Sequence, residues 1–160
     1  PHYESNPLYI DALVNSINKK INEITWKPDL IIASYHGIPK KYFDKGDPYH
    51  CYCHKTTRLI VEKFNSIKIK TTFQSRFGPQ EWLQPYTDKT LENLPKDGVK
   101  NVLTICPGFA SDCVETLEEI QIQAKESFLN SGGENFDMVP CLNDNSDHII
   151  LLKSLIERNI

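Results

Sequence analysis

Asp29-Leu30-Ile31-Ile32-Ala33-Ser34-Tyr35-His36-Gly37-Ile38-Pro39 is a short apolar run that stops on a histidine and a Gly/Pro turn. A counterpart, Asn101-Val102-Leu103-Thr104-Ile105-Cys106-Pro107-Gly108-Phe109, ends in the same way and leads into Ser111-Asp112-Cys113-Val114-Glu115-Thr116-Leu117-Glu118-Glu119. Apolar runs of this length, bounded by turn residues, read as buried strands. In an open parallel sheet, ligands sit beyond the carboxyl ends of the strands. If the two runs are neighbouring strands, His36 and Glu115 face one cleft.

Helical and extended patterns alternate on either side of these runs. Ile10, Leu13, Val14, Ile17, Ile21 and Ile24 recur at helical spacing, which predicts an amphipathic helix over about residues 7–24. Further helices are expected over about 52–65, 88–94 (stopped by Pro95), 112–129 (closed by Ser131-Gly132-Gly133) and 146–158. Strands are expected over 29–35, 67–73, 99–105 and 136–140. This order predicts βαβ units: an α/β, Rossmann-like three-layer domain with a four-stranded parallel sheet. The stretches 37–49 and 75–86 read as long irregular loops leaving the same sheet edge, and long loops of this kind tend to be functional.

At 160 residues the chain suits one domain, and its formal charge of −3 with no basic block gives no reason to expect a nucleic-acid partner. No apolar run reaches the roughly 18 residues of a membrane span. Five cysteines, an odd number without a secretory signal, point to reduced thiols in a cytoplasmic setting. The start at Pro1, with a helix pattern almost at once, reads as a piece of a longer protein.

Among the chemistry-bearing residues, His36 directly follows a strand, where an imidazole can take a proton or ligate a borderline metal such as Fe²⁺. The bland alternative is a turn histidine bonded to its own loop. Glu115 has its own plain explanation, because Asp112-x-x-Glu115 fits an acidic capping box. Glu115, Glu118 and Glu119 crowd the same helix entrance, where the helix dipole favours carboxylates in any case. Trp82 and Phe109 either stack on a flat ligand or pin their loops to the core. Cys51-x-Cys53, flanked by His50 and His54, resembles a metal knuckle but lacks the second separated pair of a zinc site. No GxGxxG or P-loop supports nucleotide binding.

Five motifs in register resemble the ferrochelatase family of bacteria: Ser34-Tyr35-His36-Gly37-Ile38-Pro39, Gly46-Asp47-Pro48-Tyr49, Thr72-Phe73-Gln74-Ser75-Arg76-Phe77-Gly78, Trp82-Leu83-x-Pro85, and Cys106 through Leu117. The resemblance implies a two-lobed enzyme that inserts Fe²⁺ into protoporphyrin IX to make protohaem. Residues 1–160 would be its C-terminal lobe, with the N-terminal lobe outside this chain and the lobe alone inactive. It implies His36 and Glu115 as the catalytic pair, with His36, Glu115 and Glu119 meeting the metal. Tyr49, Trp82, Phe109 and Ser34 would lie around the macrocycle. Iron is a substrate in this reading; no organic cofactor and no iron–sulfur cluster is expected. Peripheral membrane contact of the full enzyme and a homodimer are both compatible with it.

Two positions depart from the family pattern. Gln123 stands where the acidic ridge that starts at Glu115 often has a third carboxylate, and Cys113 stands where many relatives carry histidine. The alternatives left open are a chelatase for coproporphyrin or sirohydrochlorin, and a non-catalytic metal or cluster-binding module built on Cys51 and Cys53.

Overall fold

The parallel strands β1 (Leu30–His36), β2 (Ile69–Gln74), β3 (Asn101–Ile105) and β4 (Asn135–Met138) lie in the order β2-β1-β3-β4, in a computed structural model that describes residues 2–158. Strand side chains alternate between faces, and the sequence fills both with apolar groups. Ile31, Ala33, Tyr35, Phe73, Leu103 and Ile105 build one core layer, while Ile32, Val102, Phe136 and Met138 build the other.

The first layer is covered by α1 (Pro7–Glu23), α3 (Tyr49–Lys63) and α7 (Ser146–Glu157). Asn6 caps α1 through its side chain, which accepts from the Leu8 amide, and Pro7 stands at the first helical position. Tyr9, Ile10, Leu13 and Ile17 then fall on the buried face. Ile17 is wholly enclosed, a burial worth roughly 1.5–3 kcal/mol. Asn145 caps α7 in the same manner, accepting from the His148 amide.

The opposite layer is covered by α4 (Thr87–Asn93) and by a broken helix: α5 (Val114–Leu117), a π-helical segment (Glu119–Ala124) and α6 (Lys125–Asn130). Pro95 does not end α4 abruptly but sits in a 3₁₀ turn, Leu94–Asp97, closed by Gly98 in the left-handed region. In the wide π turn the Glu118 carbonyl accepts from both Ile122 and Gln123.

Two sequence expectations change. The stretch 37–49 is not wholly irregular, since it holds the short helix α2 (Lys40–Asp44), which buries no residue and so leaves no apolar periodicity to read. The helix-entrance box uses Cys113 and Thr116 instead of Asp112 and Glu115. Asp112 accepts from Thr116, Asn143 and the Cys141 amide, tying the loop after β4 to the start of α5. Burial alone would raise its carboxyl, but the bonds from Asn143, Cys141 and Thr116 outweigh that and hold it below its ordinary value.

β2 is an edge strand. Among the described residues its outer side is met only near its end, where the Phe73 amide donates to the Pro85 carbonyl and Phe73 bridges to Tyr86.

Candidate active site at the carboxyl edge

β1 connects toward β2 on one side, and β3 and β4 lie on the other, so the chain switches direction between β1 and β3. That is where an open parallel sheet leaves a crevice. His36 ends β1, and Cys106-Pro107-Gly108-Phe109 follows β3, so the two sequence runs supply the two lips of one crevice.

Strand alternation decides which way the key side chains leave. His36 and Gln74 are register partners at the ends of β1 and β2. They share the parity of Ile32 and Thr72, whose side chains face α4 and the π segment. Glu115 and Glu119 come to that same face from α5 and the π segment.

His36 Nδ1 lies 2.7 Å from the Gly37 carbonyl, which can only accept. In the neutral ring the proton is therefore on Nδ1, and Nε2 keeps its lone pair. The ring is half-buried, with its centroid 6.2 Å from that of Phe109. The Tyr49 hydroxyl donates to the His36 carbonyl at 2.9 Å, fixing the backbone beneath the imidazole. Gly37 runs so close to β2 that a Cβ there would lie 2.9 Å from the Gln74 carbonyl and 3.3 Å from the Trp82 ring.

The Glu115 carboxylate is held below its ordinary value by its own backbone amide, then by the Cys113 thiol, and last by electrostatic interaction with the nearby His36 imidazole. Glu119 is differently placed. Its carboxylate accepts from the Ser75 amide at 2.7 Å, the Ser75 hydroxyl at 2.5 Å and the Gln74 side chain at 3.3 Å. Ser75 adopts a positive φ of 64°, rare for a residue with a side chain, and both its donors serve this carboxylate. Glu115, Glu118 and Glu119 line an open hollow of about 430 Å³ with Ser75, Phe77 and Val114.

Gln74 joins these parts. It is 4 % exposed. Its Oε1 accepts from Ser34 at 2.7 Å, and its Nε2 donates to the Glu115 carbonyl at 2.6 Å and to Glu119. The Cys106 thiol also approaches Oε1, at 3.7 Å. This pattern fixes the amide orientation, since the flipped form would set Oε1 against a carbonyl and a carboxylate. In the sequence Gln74 is a strand end inside one of the family motifs, with no role of its own assigned; the parallel register reveals its reach to β1, Cys106 and the π segment.

Other expected site residues lie elsewhere. Ser34 is fully enclosed, with its hydroxyl committed to Gln74 and Thr87, so it supports the crevice floor without lining it. Trp82 is 6 % exposed and its indole N–H donates to the Phe77 carbonyl, which makes it a pin for the 75–86 loop. Tyr49 spends its hydroxyl on His36 and borders a second hollow of about 240 Å³ with Tyr9, Tyr35, Tyr52 and Gly108. Gln123 donates to Glu118.

Among the described residues, no group of three or more His, Cys, Asp or Glu side chains is arranged to hold a metal ion. His36, Glu115 and Glu119 thus form no closed ligand set, because Ser75 and Gln74 turn the Glu119 carboxylate toward β2. Cys51 and Cys53 do not pair either: two positions apart on α3, Cys51 is exposed and Cys53 buried. Burial pushes the Cys53 thiol up to about 12, away from the thiolate a metal needs. No described helix is long and apolar enough to cross a membrane.

Comparison with known proteins returns the family suggested by the motifs. The profile of the Ferrochelatase family matches residues 1–160. The chain is 55 % identical to the ferrochelatase of Rhizobium meliloti (strain 1021) and 55 % identical to that of Allorhizobium ampelinum, and 51 % identical to that of Brucella ovis. Each alignment covers 100 % of this chain but 48 %, 47 % and 46 % of the relative, respectively. The chain spans about half the length of the curated relatives it matches.

Proposed function

The chain belongs to the ferrochelatase family, and on that premise we propose that it is the C-terminal half of an enzyme inserting Fe²⁺ into protoporphyrin IX to form protohaem. The observation that carries the reading is the meeting of His36, with a free Nε2 lone pair, and the Glu115 carboxylate at one crevice of the sheet. Insertion releases two pyrrole protons as the metal gives up its waters. The free His36 nitrogen and the ionised Glu115 carboxylate are both able to accept a proton or to meet a divalent cation through an exchangeable bond.

The rest of the edge suits this work. Phe109 offers an aromatic face beside His36 for a flat macrocycle. Gln74 and Ser75 hold Glu119 in the hollow behind Glu115, where it can take up a proton or a hydrated cation passing the crevice. The second wall of the porphyrin site comes from the other half of the protein, so this lobe alone leaves the ring half exposed. The reading places the reaction in the cytoplasm, with neither an organic cofactor nor an iron–sulfur cluster taking part.

The test is anaerobic insertion of Fe²⁺ into protoporphyrin IX by the full-length protein, followed by the porphyrin absorbance change. His36→Ala should abolish turnover without changing the far-ultraviolet circular dichroism. Near-normal turnover in that variant sinks the assignment, and preference for coproporphyrin at equal concentration would move the substrate to that class.

A further inference from the structure

In the segment His50-Cys51-Tyr52-Cys53-His54 the cysteines diverge, one exposed and one buried, while the histidines meet. His50 and His54 are one turn apart on α3, and their ring centroids are 4.4 Å apart. Among the described residues, no hydrogen bond ties a ring nitrogen of either one. His50 is half-buried, stacked on Phe73 at 5.6 Å and braced by Phe43 at 4.8 Å; His54 is exposed.

We propose that His50 and His54 form a surface site for a late first-row divalent cation of the zinc or copper class, distinct from the carboxyl-edge crevice. Two histidines at i and i+4 share a helix face, the spacing by which helices present paired imidazoles to zinc. Centroids 4.4 Å apart need only ring rotation to bring one nitrogen of each within about 2.0–2.1 Å of a shared ion. Stacking of His50 on Phe73 and Phe43 limits the rotamer freedom lost on binding.

The surroundings complete the case. The groove beside His50, about 230 Å³, is also lined by Glu81, which adds negative charge, and by Lys40, whose ammonium is already paired with Asp44. Two protein ligands leave the remaining positions to water, so binding is exchangeable and weaker than in a closed structural site. Imidazole pairs rank copper and zinc above Fe²⁺. Phe73, beneath His50, faces away from the layer that carries Glu115 and Glu119, so the two sites lie on opposite faces of the sheet.

The experiment is calorimetric titration of the full-length protein with Zn²⁺ alone, under a non-thiol reductant and in a His36→Ala background that removes the crevice imidazole. Imidazole ¹⁵N shifts are followed in parallel. One saturable equivalent is expected, with the shifts of His50 and His54 moving, and with His50→Ala or His54→Ala each weakening affinity at least tenfold. His54 is exposed, so its variant does not test folding. Cys51→Ser should leave binding unchanged. Absence of saturable binding, unchanged affinity in both histidine variants, or loss on Cys51→Ser with retention on His54→Ala would each overturn the proposal. Because the background lacks His36, none of these results bears on iron insertion.

Discussion

Gln74→Glu keeps the shape of the crevice clamp and removes only its two N–H donors. It places a carboxyl group where the Gln74 amide now stands 3.3 Å from the Glu119 carboxylate. Two unit charges at that distance repel by about 5 kcal/mol at an effective dielectric of about 20. Holding a proton instead on a carboxyl of ordinary pKa about 4.3 costs about 3.7 kcal/mol at pH 7, at about 1.4 kcal/mol per unit. Protonation therefore wins, and the introduced group has a folded-state pKa raised above its unfolded value. A group raised in this way makes the folded state bind the extra proton, so the variant regains stability as pH falls. The deficit against the parent should be about 3–4 kcal/mol at pH 7 and shrink by about 1.4 kcal/mol per unit toward pH 5, where the protonated carboxyl donates to Glu119. Gln74→Ala should instead show a pH-independent deficit of about 2–4 kcal/mol, from the Glu115 carbonyl losing its Gln74 donor and the Ser34 hydroxyl keeping only Thr87. Urea unfolding at pH 5, 6, 7 and 8, followed by the fluorescence of buried Trp82 and expressed as differences from the parent, measures both. A deficit for Gln74→Glu that stays constant with pH, or none at pH 8, would refute the clamp geometry.

Other expectations follow from the same edge. Gly37→Ala should cost about 1–3 kcal/mol in unfolding experiments, because its Cβ meets the Gln74 carbonyl of an adjacent strand, and an unchanged melting temperature would contradict that approach. In the full-length protein, Glu115→Gln should lower iron insertion by at least tenfold and Glu118→Gln by less than threefold; equal losses would show that the whole acidic row acts as one. The isolated 160-residue chain should fold, as judged by cooperative unfolding, yet show no turnover with porphyrin and Fe²⁺. Activity comparable to that of the full-length protein would mean one lobe suffices.

The legible part of this molecule was its order. The two apolar runs ending at His36 and Ile105 carried enough alternation and punctuation to announce parallel strands, and their turns announced the crevice. Features that depend on what packs across the chain were hidden. Gln74 is polar at a strand end, an ordinary place for a polar residue, until register sets it between Ser34 and Glu115. Ser34 and Trp82 belong to recognisable motifs, but a motif does not say which residues face a ligand and which hold the loop that does. The missing second pair already argued against a metal site at Cys51 and Cys53, and the helix adds the geometric reason: positions two apart lie on nearly opposite sides, whereas positions four apart, His50 and His54, meet.

The arrangement of β2 at the sheet border has a consequence for handling the protein. A bare strand border invites another chain to add to it, and β2 resists this in two ways. Lys68 just before it and Lys70 in its first half stand exposed, where a second strand would bring like charges together. Its last residues are already covered by Pro85 and Tyr86 from the proline-bracketed loop. At the other border β4 offers only four residues, Asn135–Met138, too short a template for stable pairing. Self-association of this chain should therefore proceed through side-chain faces such as the exposed Ile149, Ile150 and Ile156 of α7. Such clusters disperse in mild detergent and bind no amyloid dye, whereas fibrils grown by strand addition would do the reverse.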